Sequence, residues 1–463
     1  MSVFKKLIWA GALFISALAR PHQVQAIYNP LSVPNNSYGI HIVNTEDLDD
    51  AAKLVNSSGG DWGYITFIIT KNDREISKWQ GVFDKMRTLH LIPIVRVATA
   101  PNGENWEKPS FGEIDGWVSF LTSLNWVIKN RYLIIGNEVN LAKEWGGEVN
   151  PEEYATYLKT FSQKLKGVNP DFFVIPAGLD ASLTTSKSSL DETVFLKRML
   201  FKEPDIFEVI DGWASHSYPN PAFSGSPSAR GRGTIATFAW ELDLLRRLGV
   251  KKNLPVFISE TGWNRETVKN LEVKFSYAFA FVWNDKQVVA ITPFVLNYEF
   301  SPFANFSWKS GGNFGSLYTS VQALPKPKGA PLQEEAGQIT RIFTPAIEFS
   351  GSSFTALLFV LNEGQSIWGL QNLAIKDLEG NNWEITKTSS TTLAPGESGL
   401  IFAKGLTPKI GGLYRQSLYL AKDQKPLTRS AEFKMFLFAN LTWPPPLWHS
   451  DRWWKTHFPF GRT

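Results

Sequence analysis

The sequence predicts an α/β fold class, a (β/α)8 TIM barrel followed by an all-β sandwich, and three observations carry that prediction. Between Ser37 and Thr292, eight short runs rich in β-branched and aromatic residues alternate with segments of helical period. Pro325, Pro327 and Gly329 then break the alternation. From about Gln338 onward, period-two alternation of apolar and polar residues takes over.

Taken in order, Lys5 and Lys6 precede an apolar run from Leu7 to Ala19, and Val24-Gln25-Ala26 offers small residues for cleavage. Residues 1–26 are therefore expected to be a signal peptide and the protein secreted or held at the cell surface. The run is short of the roughly 20 residues that span a bilayer, and an uncleaved anchor is the alternative. The eight strand runs begin near Tyr38, Trp62, Ile92, Tyr132, Phe172, Val209, Pro255 and Val288. Between them, sets such as Ile76, Trp79, Val82, Phe83 and Met86, or Ile235, Phe238, Leu242 and Leu245, place apolar groups on one helical face. Asn150-Pro151-Glu152-Glu153 carries an N-cap, a Pro at the first helical position and acids in the first turn. Eight strand–helix units suit a closed barrel over residues 35–323. A doubly wound open sheet is the alternative, but no G-x-G-x-x-G follows the first strand.

Residues 324–337 are expected to be a linker and 338–440 a sandwich, with strands over Phe354–Leu361, Ile367–Leu370, Ala374–Leu378, Trp383–Thr388, Gly399–Phe402, Leu413–Ala421 and Ala431–Phe438. The stretch from Leu361 through Asn362, Gly364 and Trp368, with Pro395-Gly396 and Gly412-Leu413-Tyr414 after it, resembles the immunoglobulin-like domain of the Next to Breast Cancer One type. That resemblance implies a packing or adhesion module, with carbohydrate binding as the alternative. The tail, 441–463, carries Pro444-Pro445-Pro446, then Trp448, Trp453, Trp454, Phe458 and Phe460 among Arg452, Lys455 and Arg462. Such a segment suits docking on the folded body or peripheral membrane association.

Composition removes whole classes of chemistry. With no Cys there is no disulfide, thiol nucleophile or thiolate metal site, and six His without H-x-H or H-E-x-x-H spacing argue against a dedicated metal centre. No cofactor is expected. The formal charge is +4, but Lys5, Lys6 and Arg20 lie in the signal, leaving 44 basic against 43 acidic residues, or +1. Nucleic acid is thus a poor candidate partner.

What remains is carboxylates. Glu138 follows the fourth strand through Gly136-Asn137, and Glu260 closes the seventh, Pro255 to Ser259. Both sit at carboxyl ends of strands, the functional face of a barrel. A single acid there is more often a helix cap or a solvated loop residue, whereas two on facing strands suit glycoside cleavage. One acid protonates the leaving oxygen while the other meets positive charge at the anomeric carbon. Glu138 must then be protonated, which a neighbouring carboxylate favours, and Glu260 ionised, with Arg96 a candidate cationic neighbour.

These positions resemble the clan A glycoside hydrolases, retaining (β/α)8 enzymes. The match lies in Asn137-Glu138, His216-Ser217-Tyr218 and Ser259-Glu260-Thr261-Gly262-Trp263, and it spans roughly Ser37 to Tyr318. Family 5 and family 17 motifs are both represented. The resemblance implies Glu138 as acid/base, Glu260 as nucleophile, Asn137 as donor to the substrate 2-hydroxyl and Tyr218 as hydrogen-bond partner of the nucleophile. His41 and His216 are candidates for sugar hydroxyls, although a rim histidine satisfied by the protein is nearly as plausible for His41. Trp263, Trp106, Trp145 and Trp308 are candidates for stacking on sugar faces, while Trp79, Trp117, Trp126, Trp240 and Trp283 lie at helical spacing and suit the core. Many clan members carry a Trp at the end of strand eight, where this chain has Phe294, Asn297 and Tyr298. The segment Ser224 to Gly233 is expected to be a mobile loop over the site, with an inert loop as the alternative. The expected function is hydrolysis of a polysaccharide or glycoconjugate. The alternatives are a non-catalytic carbohydrate-binding or scaffold protein and a metal-dependent barrel hydrolase, the latter disfavoured by His spacing.

Overall fold

The computed structural model describes residues 27–439, so the expected signal and aromatic tail lie outside the described residues. The chain divides into two compact units, meeting in sequence at Glu334 and Glu335.

The first unit contains eight parallel strands, β1 (Gly39–His41), β2 (Gly63–Thr70), β3 (Leu91–Ala98), β4 (Arg131–Ile135), β5 (Phe172–Pro176), β6 (Trp213–His216), β7 (Val256–Glu260) and β8 (Val288–Ile291). Each is followed by a helix: α1 (Leu48–Val55), α2 (Ile76–Thr88), α3 (Ile114–Ser123), α4 (Pro151–Val168), α5 (Glu192–Lys202), α6 (Thr237–Arg247), α7 (Leu271–Phe281) and α8 (Ser316–Ala323). Strand ladders run β1 to β5 and β6 to β8. Two seams close the ring. Asp211, just before β6, donates its backbone N–H to the Val174 carbonyl at 2.8 Å and accepts from the Val174 N–H at 2.9 Å. At the other seam Tyr38 bridges to Ile291, and the Ile291 N–H donates to the Ser37 carbonyl at 2.9 Å.

Inside, Tyr64, Tyr132, Phe173 and Phe257 are each the second residue of their strand, and their rings meet at 5.0–6.1 Å. This aromatic plug fills the amino end, and the carboxyl mouth is where space remains. The helices present their apolar faces to the ring, with Trp79, Trp117, Trp126 and Trp283 buried and Trp240 half-buried. Asn150 caps α4 as its sequence implies, accepting from the Glu153 N–H at 3.0 Å. The expected linker begins as part of this unit. Lys326 is buried and its Nζ donates to the carbonyls of Val321 (2.8 Å), Gln322 (3.1 Å) and Leu324 (3.0 Å), capping the end of α8.

The second unit is all-β. Its main strands are β9 (Gly337–Phe343), β10 (Ile347–Phe349), β11 (Ser353–Asn362), β12 (Ala374–Asp377), β13 (Asn382–Thr388), β14 (Ser398–Leu406), β15 (Gly412–Lys422) and β16 (Ala431–Phe438). They pair in the order β9-β11-β14-β13-β12-β15-β16-β10. The sheet folds over, so that Phe354, Trp383 and Phe433 from different stretches meet in one core. Strands β9 and β10 escape the sequence pattern for physical reasons. A register shift between Ile339 and Arg341 breaks the alternation of β9, and β10 turns its apolar residues Ile347 and Phe349 outward. Asn362 is fully buried and knits the turn after β11, donating to the Ser366 and Leu393 carbonyls (both 2.9 Å) while accepting from the Gly364 N–H (3.0 Å). Trp368 lies buried beside it, against Gly337, where a Cβ would come within 2.1 Å of the indole.

Candidate active site

Strand register sets the first pair of functional side chains. In the β6–β7 ladder His216 lies opposite Glu260, reached through an irregularity after Ser215. The third participant arrives from β4. Gly136 has φ +92°, and Glu138 itself sits at φ +35°, a left-handed conformation that a non-glycine residue adopts at some cost. The Glu138 N–H is tied to the Gly178 carbonyl at 2.9 Å. One oxygen of Glu138, one of Glu260 and a ring nitrogen of His216 all lie within 4.8 Å of one another.

His216 Nδ1 is shared. It stands 3.0 Å from Glu138 Oε1 and 3.8 Å from Glu260 Oε2. Burial pulls its pKa down, but the charges of Glu260 and Glu138 outweigh burial and raise it. Glu260 is 8% exposed. Its Oε1 pairs with Arg96 Nη1 and its Oε2 accepts from the Tyr218 hydroxyl at 3.1 Å. Burial pushes this carboxyl up, yet His216 and Arg96 overcome it and hold the pKa at about 2. Tyr218 stays a neutral donor, its pKa raised by burial and by the Glu260 and Glu138 charges. Arg96 also donates to Asn137 Oδ1 at 2.6 Å. His41 is fully buried with both ring nitrogens lacking hydrogen-bond partners, edge-on to Phe294. Burial, aided by the Arg96 charge, lowers its pKa to about 3, so it is a neutral ring.

A cavity of about 520 Å³ opens over this cluster, lined by His41, Arg96, Asn137, Glu138, Tyr218 and Glu260 together with aromatic rings. The rings include those of Trp106, Phe223, Phe294, Tyr298, Phe303 and Phe306; the buried Trp117, Trp145 and Tyr157 contribute too. His216 lies against the two carboxylates, behind that lining. The structure does not bring Trp263 or Trp308 into the cavity. Trp263 is 2% exposed, packs on Phe275 and Trp283, and donates Nε1–H to the Gly225 carbonyl at 2.8 Å. Trp308 is 5% exposed and packs on Phe275 from the other side. The segment Ser224 to Gly233 touches the rest of the barrel unit at Gly225 and Arg232. Arg232 pairs with Asp191 at 2.7 Å and lies over the Trp240 ring.

Several site features go beyond the sequence expectations, the lining residues Phe223, Phe303 and Phe306 among them. Glu144 and Asp180 line the cavity from the loops after β4 and β5. Gly178 is another, because a Cβ there would lie 2.3 Å from His216 Cδ2. Asking which acids follow Glu138 on the same loop would have found Glu144; Gly178 has no local signal, since its constraint comes from a strand far away in sequence.

Two expected outcomes follow from this geometry. Gly178→Ala should displace the His216 ring and lower kcat/KM by about 10²-fold with the circular dichroism spectrum unchanged, the scale of a displacement near 1 Å; unaltered turnover would show that His216 placement is not critical. Arg96→Met should move the acid limb of the kcat/KM profile upward. The sign follows from the depressed Glu260 pKa: its stabilising ionisation is fully present above the ordinary value of 4.5 and is lost as pH falls toward about 2, and removing the guanidinium narrows that window. A pH–rate profile that does not move would remove Arg96 as the counter-ion.

Fold and site together define a (β/α)8 barrel with a half-buried Glu138 and a buried Glu260 at its carboxyl mouth. No family model and no curated protein matches the chain. Among solved structures it is similar to a monomeric beta-xylosidase from Caulobacter crescentus CB15, at 12% identity over 82% of this chain and 98% of that one, TM-score 0.45. It is also similar to a family 128 endo-beta-1,3-glucanase from Pseudomonas viridiflava, at 14% identity over 62% and 98%, TM-score 0.41. A third is endo-glycoceramidase II from Rhodococcus sp., at 9% identity over 83% and 100%, TM-score 0.40. At such scores the likeness bears no weight, and the strand order and side-chain distances carry the case.

Proposed function

We propose that this chain is a retaining glycoside hydrolase that cleaves O-glycosidic bonds of a polysaccharide or glycoconjugate by double displacement. One observation carries the reading: one oxygen of Glu138 and one of Glu260 lie within 4.8 Å of each other, a proximity that suits the ~5–5.5 Å carboxyl spacing of retaining enzymes. In the first step a Glu260 oxygen forms a bond to the anomeric carbon as the bond to the leaving oxygen breaks, and Glu138 supplies the proton that the leaving oxygen takes. In the second, Glu138 removes a proton from water, the water oxygen attacks the same carbon, and Glu260 departs as carboxylate. Arg96 and Tyr218 hold Glu260 ionised and aimed. Asn137 donates to the 2-hydroxyl, His41 and His216 shape the pocket around the sugar ring, and Trp106 offers a face for stacking.

The amino-terminal 26 residues, as a secretory signal, would put this chemistry outside the cytoplasm. The all-β unit, as an immunoglobulin-like accessory domain, would serve adhesion or packing. The test is to incubate the protein with a panel of aryl β-glycosides and polysaccharides and follow the first sugar anomer formed by proton NMR. Retention of configuration is expected. Initial release of the inverted anomer would overturn the double displacement, and no release from any member would favour a barrel that binds glycan without cutting it.

A further inference from the structure

The cavity over the carboxylates has two unlike walls. The loops after β4 and β5 line it with the charged Lys143, Glu144 and Asp180. The loops after β6 and β8 line it with Tyr218 and Asn220, and then with five more rings, Phe223, Phe294, Tyr298, Phe303 and Phe306. These rings form one connected surface. It starts at Tyr218, whose hydroxyl donates to Glu260 at 3.1 Å, and passes to Phe223 and on to Phe306, each step 5.0 Å between ring centroids. Phe294 follows at 6.2 Å and Phe303 at 5.4 Å. Tyr298 lies 6.0 Å further on, and Phe300, again at 6.0 Å, is 72% exposed. The surface thus leads from the hydrogen-bond partner of the nucleophile out to solvent.

Interplanar angles of 63–90° hold the rings edge to face, the arrangement their quadrupoles favour, so the wall is preformed. Its four lining phenylalanines can neither donate nor accept a hydrogen bond. A sugar unit laid along them would bury hydroxyls that give up water without a replacement partner. A hydrocarbon chain or an aryl group in the same place gains from leaving water. Exposed rings joined to a concave apolar wall mark a ligand-binding surface. In a bound glycoside the anomeric carbon sits at Glu260, so the group attached to it lies within reach of Tyr218, where the wall begins. We propose that this wall is the aglycone subsite and that the substrate is an amphiphilic glycoconjugate, a sugar joined to an alkyl or aryl group. The proposal rests on the glycoside hydrolase reading above and narrows its substrate from polysaccharide or glycoconjugate to the second.

The experiment separates binding from cleavage. Uncleavable n-alkyl 1-thio-β-glycosides of glucose, galactose and xylose, from methyl to octyl and below their micelle-forming concentrations, are titrated calorimetrically into the protein. In at least one sugar series affinity should rise by up to about fourfold per methylene, the scale of full burial, with a heat-capacity change that grows more negative. Phe300→Ser and Phe303→Ser, at the exposed end, should each compress the octyl-to-methyl affinity ratio by about tenfold, the scale of one or two methylenes left uncovered. The kcat/KM ratio of the matching O-glycosides should fall with it. Octyl members no tighter than methyl members in every series overturn the proposal, as does a ratio that neither substitution changes. A tetrasaccharide of the same sugar that binds better than the octyl glycoside, and loses the same factor in both variants, makes the wall a sugar platform and also overturns it. Because the thioglycosides are not cut, tightening with chain length without release of alcohol from any O-glycoside would keep the apolar wall and remove the hydrolase reading. Turnover with no gain from chain length would do the reverse.

Discussion

Glu260→Gln is expected to reduce kcat/KM by about 10⁴-fold or more without loss of fold, the scale of removing a nucleophile. The amide oxygen can still accept from Arg96, and the amide nitrogen can donate to the Tyr218 oxygen, so the contacts that anchor Glu260 have replacements. What vanishes is the charge that His216 and Arg96 stabilise in the buried site. A smaller variant makes the assignment sharper. Glu260→Ala leaves room for azide, which should attack from the vacated face and give a glycosyl azide of inverted configuration. Near-normal turnover by either variant would disqualify Glu260.

Glu138→Ala should behave differently, and the contrast identifies the two roles. Loss of a positioned acid/base costs about 10²–10⁴-fold, with the greatest loss for glycosides whose leaving group needs a proton. Dinitrophenyl glycosides, which leave unaided, should form the glycosyl-enzyme at close to the wild-type rate and accumulate it as a burst. Azide should now accelerate the second step and yield product of retained configuration. If the loss is the same for good and poor leaving groups, Glu138 is not the proton donor.

The parts of this site that could be read from the chain share one property: they are fixed by where a strand ends. Asn137, Glu138, His216 and Glu260 sit at or just past the ends of β4, β6 and β7, with Arg96 two residues before the end of β3, and in a parallel barrel those ends gather at one mouth. The fold was legible for a similar reason, since strands buried on both faces have little choice but to be apolar. Ring direction was not legible. Trp263 also follows a strand end, but Gly262 at φ +147° turns the chain and the indole packs onto Phe275 of α7 instead of into the cavity. Trp308 is captured by the same phenylalanine. Gly178 lay beyond reach because what makes it necessary is an imidazole 38 residues away in sequence, placed there by β6. Strands β9 and β10 were hidden by a register slip and by apolar residues facing outward.

The shared Nδ1 of His216 has an electrical consequence for the proposed reaction. When Glu260 becomes an ester its negative charge disappears, and by the same step Glu138 gives up its proton and gains one. The site's anion thus migrates across the cleft while the total stays constant, and the imidazole stands between the old position and the new, 3.8 Å from one and 3.0 Å from the other. An imidazole placed there, whose protonated form is opposed by burial but favoured by both carboxylates, faces the anion in either position and can serve both halves of the cycle with little motion.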